Sequence, residues 1–320
     1  MKRLYITIVI TAFLAFSSYI FYREGTLPVN KNSTESKIFV IKKGESLNQI
    51  INNLSSEGLI RNRLVFYIII KQLGLEKNIQ AGDFRLSPSM DAYQIAKTLT
   101  HGSIDIWTTI IEGLRKEEIA QIISREFGIP ESEFLKYAKE GYLFPDTYLI
   151  PKDATPETIL KIFSDNFKAK YDNNLKKKAA KMGLTDEEVL IFASLVEKEA
   201  KYDQDRQKVA SIILKRYNNG WPLQVDASIQ YALGYQVLEK TWWKKYLTYD
   251  DLEIDSPYNT YKNTKLPPTP ICNPGLASIE AVVNADTSTP YWYYLSDKSG
   301  HMHYARTLEE HERNKEMYLK

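Results

Sequence analysis

The sequence predicts an α+β protein carried on a single N-terminal transmembrane helix, with a small strand-and-helix module first and a larger mixed α+β domain after it. An uncharged apolar run opens the chain, a strand–turn–helix pattern recurs at a fixed offset, and helical periods later alternate with aromatic strands and proline-rich loops. At 320 residues and 43% hydrophobic, the chain is long enough to bury a sizeable core and is not a disordered protein. Its 42 basic and 40 acidic residues leave a net charge of +2, which gives no nucleic-acid footprint. The basic run LKKKAAK at 175–181 reads as a solvated helix face. Cys272 is the only cysteine, which rules out an intrachain disulfide framework and any C-x-x-C motif.

Residues 4–22, LYITIVITAFLAFSSYIFY, carry no charge, and a bilayer core needs roughly 20 apolar helical residues. Lys2 and Arg3 precede the run, so the positive-inside bias holds the N-terminus in the cytoplasm and sends the rest across. A cleaved signal peptide competes, with AFSS at 15–18 as its site. Its apolar region should span only about 7–15 residues, so a single-pass anchor at 1–22 is the expectation. Polar residues 23–36 follow as a linker.

The module is placed at 37–103. It opens KIFVIKKGESLNQIINNL, a β-branched run, a turn at Gly44 and a helix capped by Ser46. TTIIEGLRKEEIAQII at 108–123 superposes on residues 39–54 at an offset of 69, and LSPSMDAYQIAKTL at 86–99 is a weaker copy at offset 45. This grammar resembles the LysM-like domain, a βααβ module associated with glycan chains.

The larger domain is placed at 104–320. Helices are expected at 115–126, 131–139, 156–182, 185–200, 203–218, 276–284 and 307–319, with strands at 290–296 and 301–305 joined by a turn at Asp297–Gly300. Residues 220–275 read as a long loop-rich segment, whose Tyr, Trp and Pro content speaks for function over disorder.

One helix raises a chemical question. ASLVEKEA at 193–200 closes an apolar helix that Thr185 and Glu188 start with a capping box, and two acids stand at its C-terminal end. Carboxylates are electrostatically misplaced there. At 100° per residue, Glu199 falls among Phe192, Leu195 and Val196, whereas Glu197 stacks on Leu190, Ala193 and Ser194. The small side chains behind Glu197 suggest open space, as a cleft requires.

With ASLVEKEA on a helix, KEGYLFPDTYLIP at 139–151 before it, LQVDASIQYALG at 223–234 after it, then SPYNTY and LPPTPICNPG, residues 38–320 closely resemble the YceG-like family, the endolytic murein transglycosylases. The resemblance implies cleavage of the β-1,4 bond between MurNAc and GlcNAc within peptidoglycan strands, leaving a 1,6-anhydro-MurNAc end and needing no cofactor. It carries the catalytic role to Glu197, the first acid of V-E-K-E. It also implies work at the outer side of the cytoplasmic (inner) membrane, beside the glycan-polymerising synthases, the penicillin-binding proteins. One carboxyl group suffices for this chemistry, because the sugar's own C6 hydroxyl attacks and no water needs activation. A two-carboxylate hydrolase would need a partner acid, for which Asp226 and Asp146 are candidates. A non-catalytic glycan-binding scaffold is the alternative from another class.

Gln224 and Asp226, with Tyr258, Asn259, Thr260 and Tyr261, are the expected substrate-binding residues, offering flat faces and hydrogen bonds to sugar rings and N-acetyl groups. Asn273 is the expected contact from the proline loop, and Asp146 reads as part of a turn. His301, His303 and His311 have no evident acidic partner, and no metal is expected. Ile111 and Glu312 depart from the family's usual Pro and Asn, away from the acidic motif.

Overall fold

Residues 2–100, 105–152 and 154–319 are described in a computed structural model. The expected domain border at 103–104 lies outside the described residues. The chain divides into two units, Met1–Ile106 with Pro151–Asp153, and Trp107–Ile150 with Ala154–Lys320.

The first unit begins with α1 (Lys2–Thr26), which holds one helix long and apolar enough to cross a membrane, Tyr5–Thr26. Then come β1 (Lys37–Ile41), α2 (Leu47–Ser56), α3 (Arg63–Gln72), β2 (Gly82–Leu86) and α4 (Ala92–Thr98). β1 and β2 pair antiparallel with Phe39 opposite Phe84. Period-2 alternation turns Phe39, Ile41, Phe84 and Leu86 onto Ile50, Leu54, Phe66, Ile70 and Ile95 of the helices. The helix α1 runs on through Arg23–Thr26, where a linker is expected from composition. Its end is held: Gly25 lies so close that a Cβ there would come within 2.5 Å of Val65, and the Tyr22 hydroxyl donates to Gln72 at 2.7 Å.

The second unit takes β3 (Asp105–Ile110) from Trp107 onward, then α5 (Lys116–Phe127), α6 (Glu131–Leu135), β4 (Asp146–Pro151), α7 (Pro156–Lys170), α8 (Asn173–Lys181) and α9 (Asp186–Glu199). It continues with α10 (Asp203–Asn218), α11 (Asp226–Leu233), α12 (Tyr249–Leu252), α13 (Leu276–Val283), β5 (Tyr293–Ser296), β6 (Met302–Ala305) and α14 (Leu308–Tyr318). The repeated grammar is real: β1–α2, β2–α4 and β3–α5 are three strand–turn–helix units. Each helix starts the same way, the backbone N–H of Ser46, Asp91 or Arg115 donating to the side chain three residues on, Gln49, Gln94 or Glu118, at 2.9–3.0 Å.

Three expectations are corrected. The helix expected over 156–182 breaks at Tyr171, whose buried ring and hydrogen bond to Asp186 displace the helical path, and Asp172 caps a fresh start. Asp146–Thr147 opens strand β4. The loop-rich segment 220–275 contains α11, which begins at Asp226 without a side-chain cap from Val225 and so carries no start signal in the sequence.

The core of this unit surrounds α9. Eight consecutive residues, Val189–Val196, are buried, because α8, α10, α11 and α13 pack around it. A helix buried on every side has no solvated face for its terminal acids, so each needs its own local solution.

Candidate active site

Glu197 and Glu199 leave the end of α9 in different directions. The Ala193–Ser194 face that carries Glu197 is covered by the proline-rich loop, not left open. The Ser194 hydroxyl accepts from Ile271 N–H at 3.0 Å, and the Cys272 thiol donates to the Ser194 carbonyl at 3.4 Å. The small side chains therefore make room for a backbone. Beyond them, Oε2 of Glu197 pairs with Arg206 at 2.7 Å and accepts from Gly275 N–H at 2.9 Å and Ser278 Oγ at 2.8 Å. Arg206 also donates to Ser278 at 2.6 Å and lies 3.6 Å from Glu112. The Glu197 side chain is 5% exposed, and all three of these bonds fall on its Oε2.

Glu199 is the acid that opens on a cavity. A cavity of about 580 Å³ is lined by Glu199, Arg216, Gln224, Asp226 and Tyr261, with Tyr293–Ser296, Met302, Leu308, His311 and Lys315 completing the wall. Burial pushes the Glu199 carboxyl up to about 7, and the negative charge of Asp226 adds to the rise, while Tyr294 and Arg216 oppose it. The Tyr294 hydroxyl is buried beside Glu199 without completing a hydrogen bond of ordinary geometry. Arg216 is held in place by its own bonds to Trp292 O at 2.8 Å and Leu223 O at 2.7 Å.

The opposite wall is built by a strained joint. Gln224 adopts φ 55°, in the left-handed region, and is clamped there by its N–H on Thr260 O at 3.0 Å and by Val225 N–H on Thr260 Oγ1 at 2.9 Å. The turn sends Gln224 and Asp226 into the cavity, where the Tyr261 hydroxyl donates to Asp226.

The expected binding residues thus separate. Gln224, Asp226 and Tyr261 meet at the cavity. Thr260 and Asn259 are buried scaffolding: Asn259 donates to Leu252 O and Ile254 O at 2.8–2.9 Å and accepts from Tyr261 N–H and Lys262 N–H. Tyr258 packs on Tyr231 and bonds Thr269. Asn273, fully buried, is a latch, accepting from Leu143 N–H and donating to Leu114 O and Glu140. Asp146 lies on β4, paired with Lys170 and bonded by Asn166, and is not among the residues lining the cavity. Of the histidines, His303 bonds Asp297 and His301 stacks on Tyr202, while His311 reaches the cavity. No metal-binding cluster of His, Cys, Asp or Glu occurs among the described residues.

The YceG-like family model matches residues 39–317. The chain belongs to the YceG-like family. Curated relatives include a Bacillus subtilis (strain 168) endolytic murein transglycosylase, 32% identical over 91% of this chain and 87% of the relative. A Streptococcus pneumoniae (serotype 2, strain D39) protein of the same name is 29% identical over 96% of this chain and 63% of its own length. The crystal structure of a yceG-like protein from Listeria monocytogenes matches at 30% identity and TM-score 0.60, over 88% of this chain and 99% of that one.

In this YceG-like chain, sequence reasoning missed Arg206, Arg216 and Tyr294. Two arginines inside an otherwise apolar face of α10, beside Val209, Ile212 and Ile213, were the available signal, since a buried arginine implies a buried acid. It missed Glu140 as well, which is pushed up to about 8 chiefly by burial and is held by Lys116 N–H at 3.0 Å and Asn273 at 2.9 Å.

Proposed function

We propose that this protein is a membrane-anchored lytic transglycosylase that cuts the MurNAc–GlcNAc β-1,4 bond inside peptidoglycan strands, with Glu199 as its acid and base. The observation that carries the assignment is that Glu199 opens on the same cavity as Gln224, Asp226 and Tyr261. Family membership and relatives named endolytic murein transglycosylase support the reaction class. The family resemblance points to the first acid of V-E-K-E. The geometry favours the second, because Glu197 commits Oε2 to Arg206, Gly275 and Ser278.

A carboxyl group pushed up to about 7 is partly protonated at neutral pH. It gives its proton to the glycosidic oxygen as the bond to C1 of MurNAc breaks. Asp226 contributes negative charge beside the oxocarbenium-like centre, held by the Tyr261 hydroxyl. The C6 hydroxyl of the same sugar then attacks C1 and returns a proton to the ionised Glu199, closing the 1,6-anhydro ring without water.

Glu199 and Asp226 line one cavity, which also supports a two-carboxylate hydrolase. Mass spectrometry of fragments released from intact peptidoglycan separates the two: anhydro ends are expected, and reducing MurNAc ends would assign hydrolysis. Glu199→Gln keeps shape and removes the proton donor. No product from either would favour the scaffold reading, and equal product from both would remove Glu199 from the catalytic role.

The helix at Tyr5–Thr26 supports a single cytoplasmic-membrane anchor, and Lys2 and Arg3 ahead of it support an outward orientation for the remaining chain. The β–α–α–β order of the first unit supports its reading as a LysM-like glycan-binding module. An anchored enzyme of this kind suits the ending of nascent strands beside penicillin-binding synthases.

A further inference from the structure

The aromatic residues of the cavity wall continue beyond the cavity. Tyr293 lines it, stacks on His311 with ring centroids 5.3 Å apart, and meets Trp221 edge-on at 6.1 Å. Trp221 in turn lies 4.6 Å from Trp292, over which the Lys215 ammonium sits at 4.1 Å. Rings therefore run without a break from the cavity wall to Trp221, which is 39% exposed.

The chain holds that indole in place from both sides. α10 ends in a Schellman turn: Gly220, at φ 67°, donates to Tyr217 O at 3.0 Å, and Trp221 N–H donates to Arg216 O at 2.9 Å. Pro222 follows with its fixed φ, Leu223 is fully buried, and Gln224 already lines the cavity. Three residues span at most about 11 Å, so the exposed indole and the cavity wall belong to one short, stiff segment. Arg216 ties the two together, since it lines the cavity and donates to Trp292 O at 2.8 Å and Leu223 O at 2.7 Å. Trp292 is fixed as well, its N–H donating to Ala305 O at 3.0 Å.

The surroundings decide what this face suits. Lys215 is committed to Thr289 O at 2.6 Å and to the Trp292 ring, and Arg216 to two carbonyls, so the cations here serve the fold. What remains open is a flat apolar face, which stacks on the C–H face of a neutral pyranose ring. A strand cut internally continues past the reacting sugars on both sides, and Tyr293 makes this face continuous with the cavity that receives them.

We propose that Trp221, backed by Trp292, is a stacking subsite for a sugar of the glycan strand outside the cavity, selecting strands long enough to occupy both. It rests on the reading of the Glu199 cavity as the place of cleavage. A second grip on the same strand strengthens binding without a new contact at the reacting bond, and it favours cuts within a strand over cuts at its end.

The test uses the full chain in detergent as Glu199→Gln, so that bound strands stay whole, with uncrosslinked glycan strands carrying a terminal fluorophore. Anisotropy should show binding weakened about fivefold by Trp221→Leu, which keeps an apolar side chain against Trp292 and removes the flat face. Trp221→Tyr, which keeps a ring, should weaken it by less than about twofold. Strand addition should shield tryptophan emission from acrylamide in the parent, and this shielding should fall in Trp221→Tyr. Affinity unchanged by Trp221→Leu overturns the subsite and leaves Glu199 and its cavity, and if that variant also melts lower, Trp221 is a packing residue. Shielding that is equal in the parent and in Trp221→Tyr overturns the subsite as well, by assigning the contact to another tryptophan. Anisotropy of the parent that decays with time, the mark of cut strands, overturns the Glu199 reading on which the subsite rests, before any Trp221 variant is compared.

Discussion

Replacing Glu199 by Gln should abolish cleavage and stabilise the protein at the same time. Glu199 rises from its ordinary 4.5 to about 7, because burial and the Asp226 charge both penalise its ionised form. The folded chain therefore holds this proton more tightly than the unfolded chain. Below pH 4.5 both states are protonated and the residue costs nothing. Between pH 4.5 and 7 the unfolded state loses the proton first, stability falls, and above pH 7 the full cost remains. The rise from 4.5 to about 7 corresponds to about 3 kcal/mol, at 1.36 kcal/mol per tenfold change in proton affinity. Gln removes that cost. At roughly 2–4 °C per kcal/mol for a domain of this size, the variant should melt several degrees above wild type at pH 8 and level with it at pH 4. Differential scanning fluorimetry across this range, paired with product analysis, reads both effects. A variant that retains activity, or one whose melting temperature falls at pH 8, refutes the assignment. If instead Glu197→Gln removed activity while keeping wild-type stability, the catalytic role would return to Glu197.

Arg206→Met should destabilise by roughly 3–5 kcal/mol in urea unfolding, since it strands Glu197 as a buried acid without its ion pair. The loss of cleavage with rising pH should reflect titration of Glu199, with Asp226→Asn moving the alkaline limb of kcat to lower pH and Tyr294→Phe moving it to higher pH, because the first removes a raising influence and the second a lowering one. Gly141→Ala should cost more than about 1 kcal/mol of stability, as φ is 86° and a Cβ would stand 2.5 Å from the Pro270 ring. Glu140→Ala should cost about 1–3 kcal/mol by leaving Lys116 N–H and one Asn273 amide hydrogen without an acceptor, and it should not shift the pH profile of cleavage.

Local signals survived the passage from sequence to structure. The Thr185–Glu188 capping box, the three strand–turn–helix units and the Asp297–Gly300 turn depend on neighbours within a few residues, so they are legible in one dimension. The site was half legible. The helical wheel separated Glu197 from Glu199 correctly, but which direction is open depends on what covers each face. The cover over Glu197 comes from residues 271–278, and the cavity before Glu199 is closed by β5 and α14, about a hundred residues away in sequence. Asn259, Thr260 and Asn273 have the side chains of ligand contacts, yet the same hydrogen-bonding groups serve to satisfy buried backbone, and the two uses look identical in sequence.

Under the proposed reading of α1 as an anchor, its unbroken passage into the first unit makes the span part of a shaft. A residue inserted within a continuous helix advances it by 1.5 Å and turns everything beyond by about 100°. Because Tyr22 and Gly25 are packed against that unit, no slack absorbs the turn. On that reading the azimuth of the first unit about the membrane normal is written in the length of α1, and a single added alanine resets it as a gear tooth would.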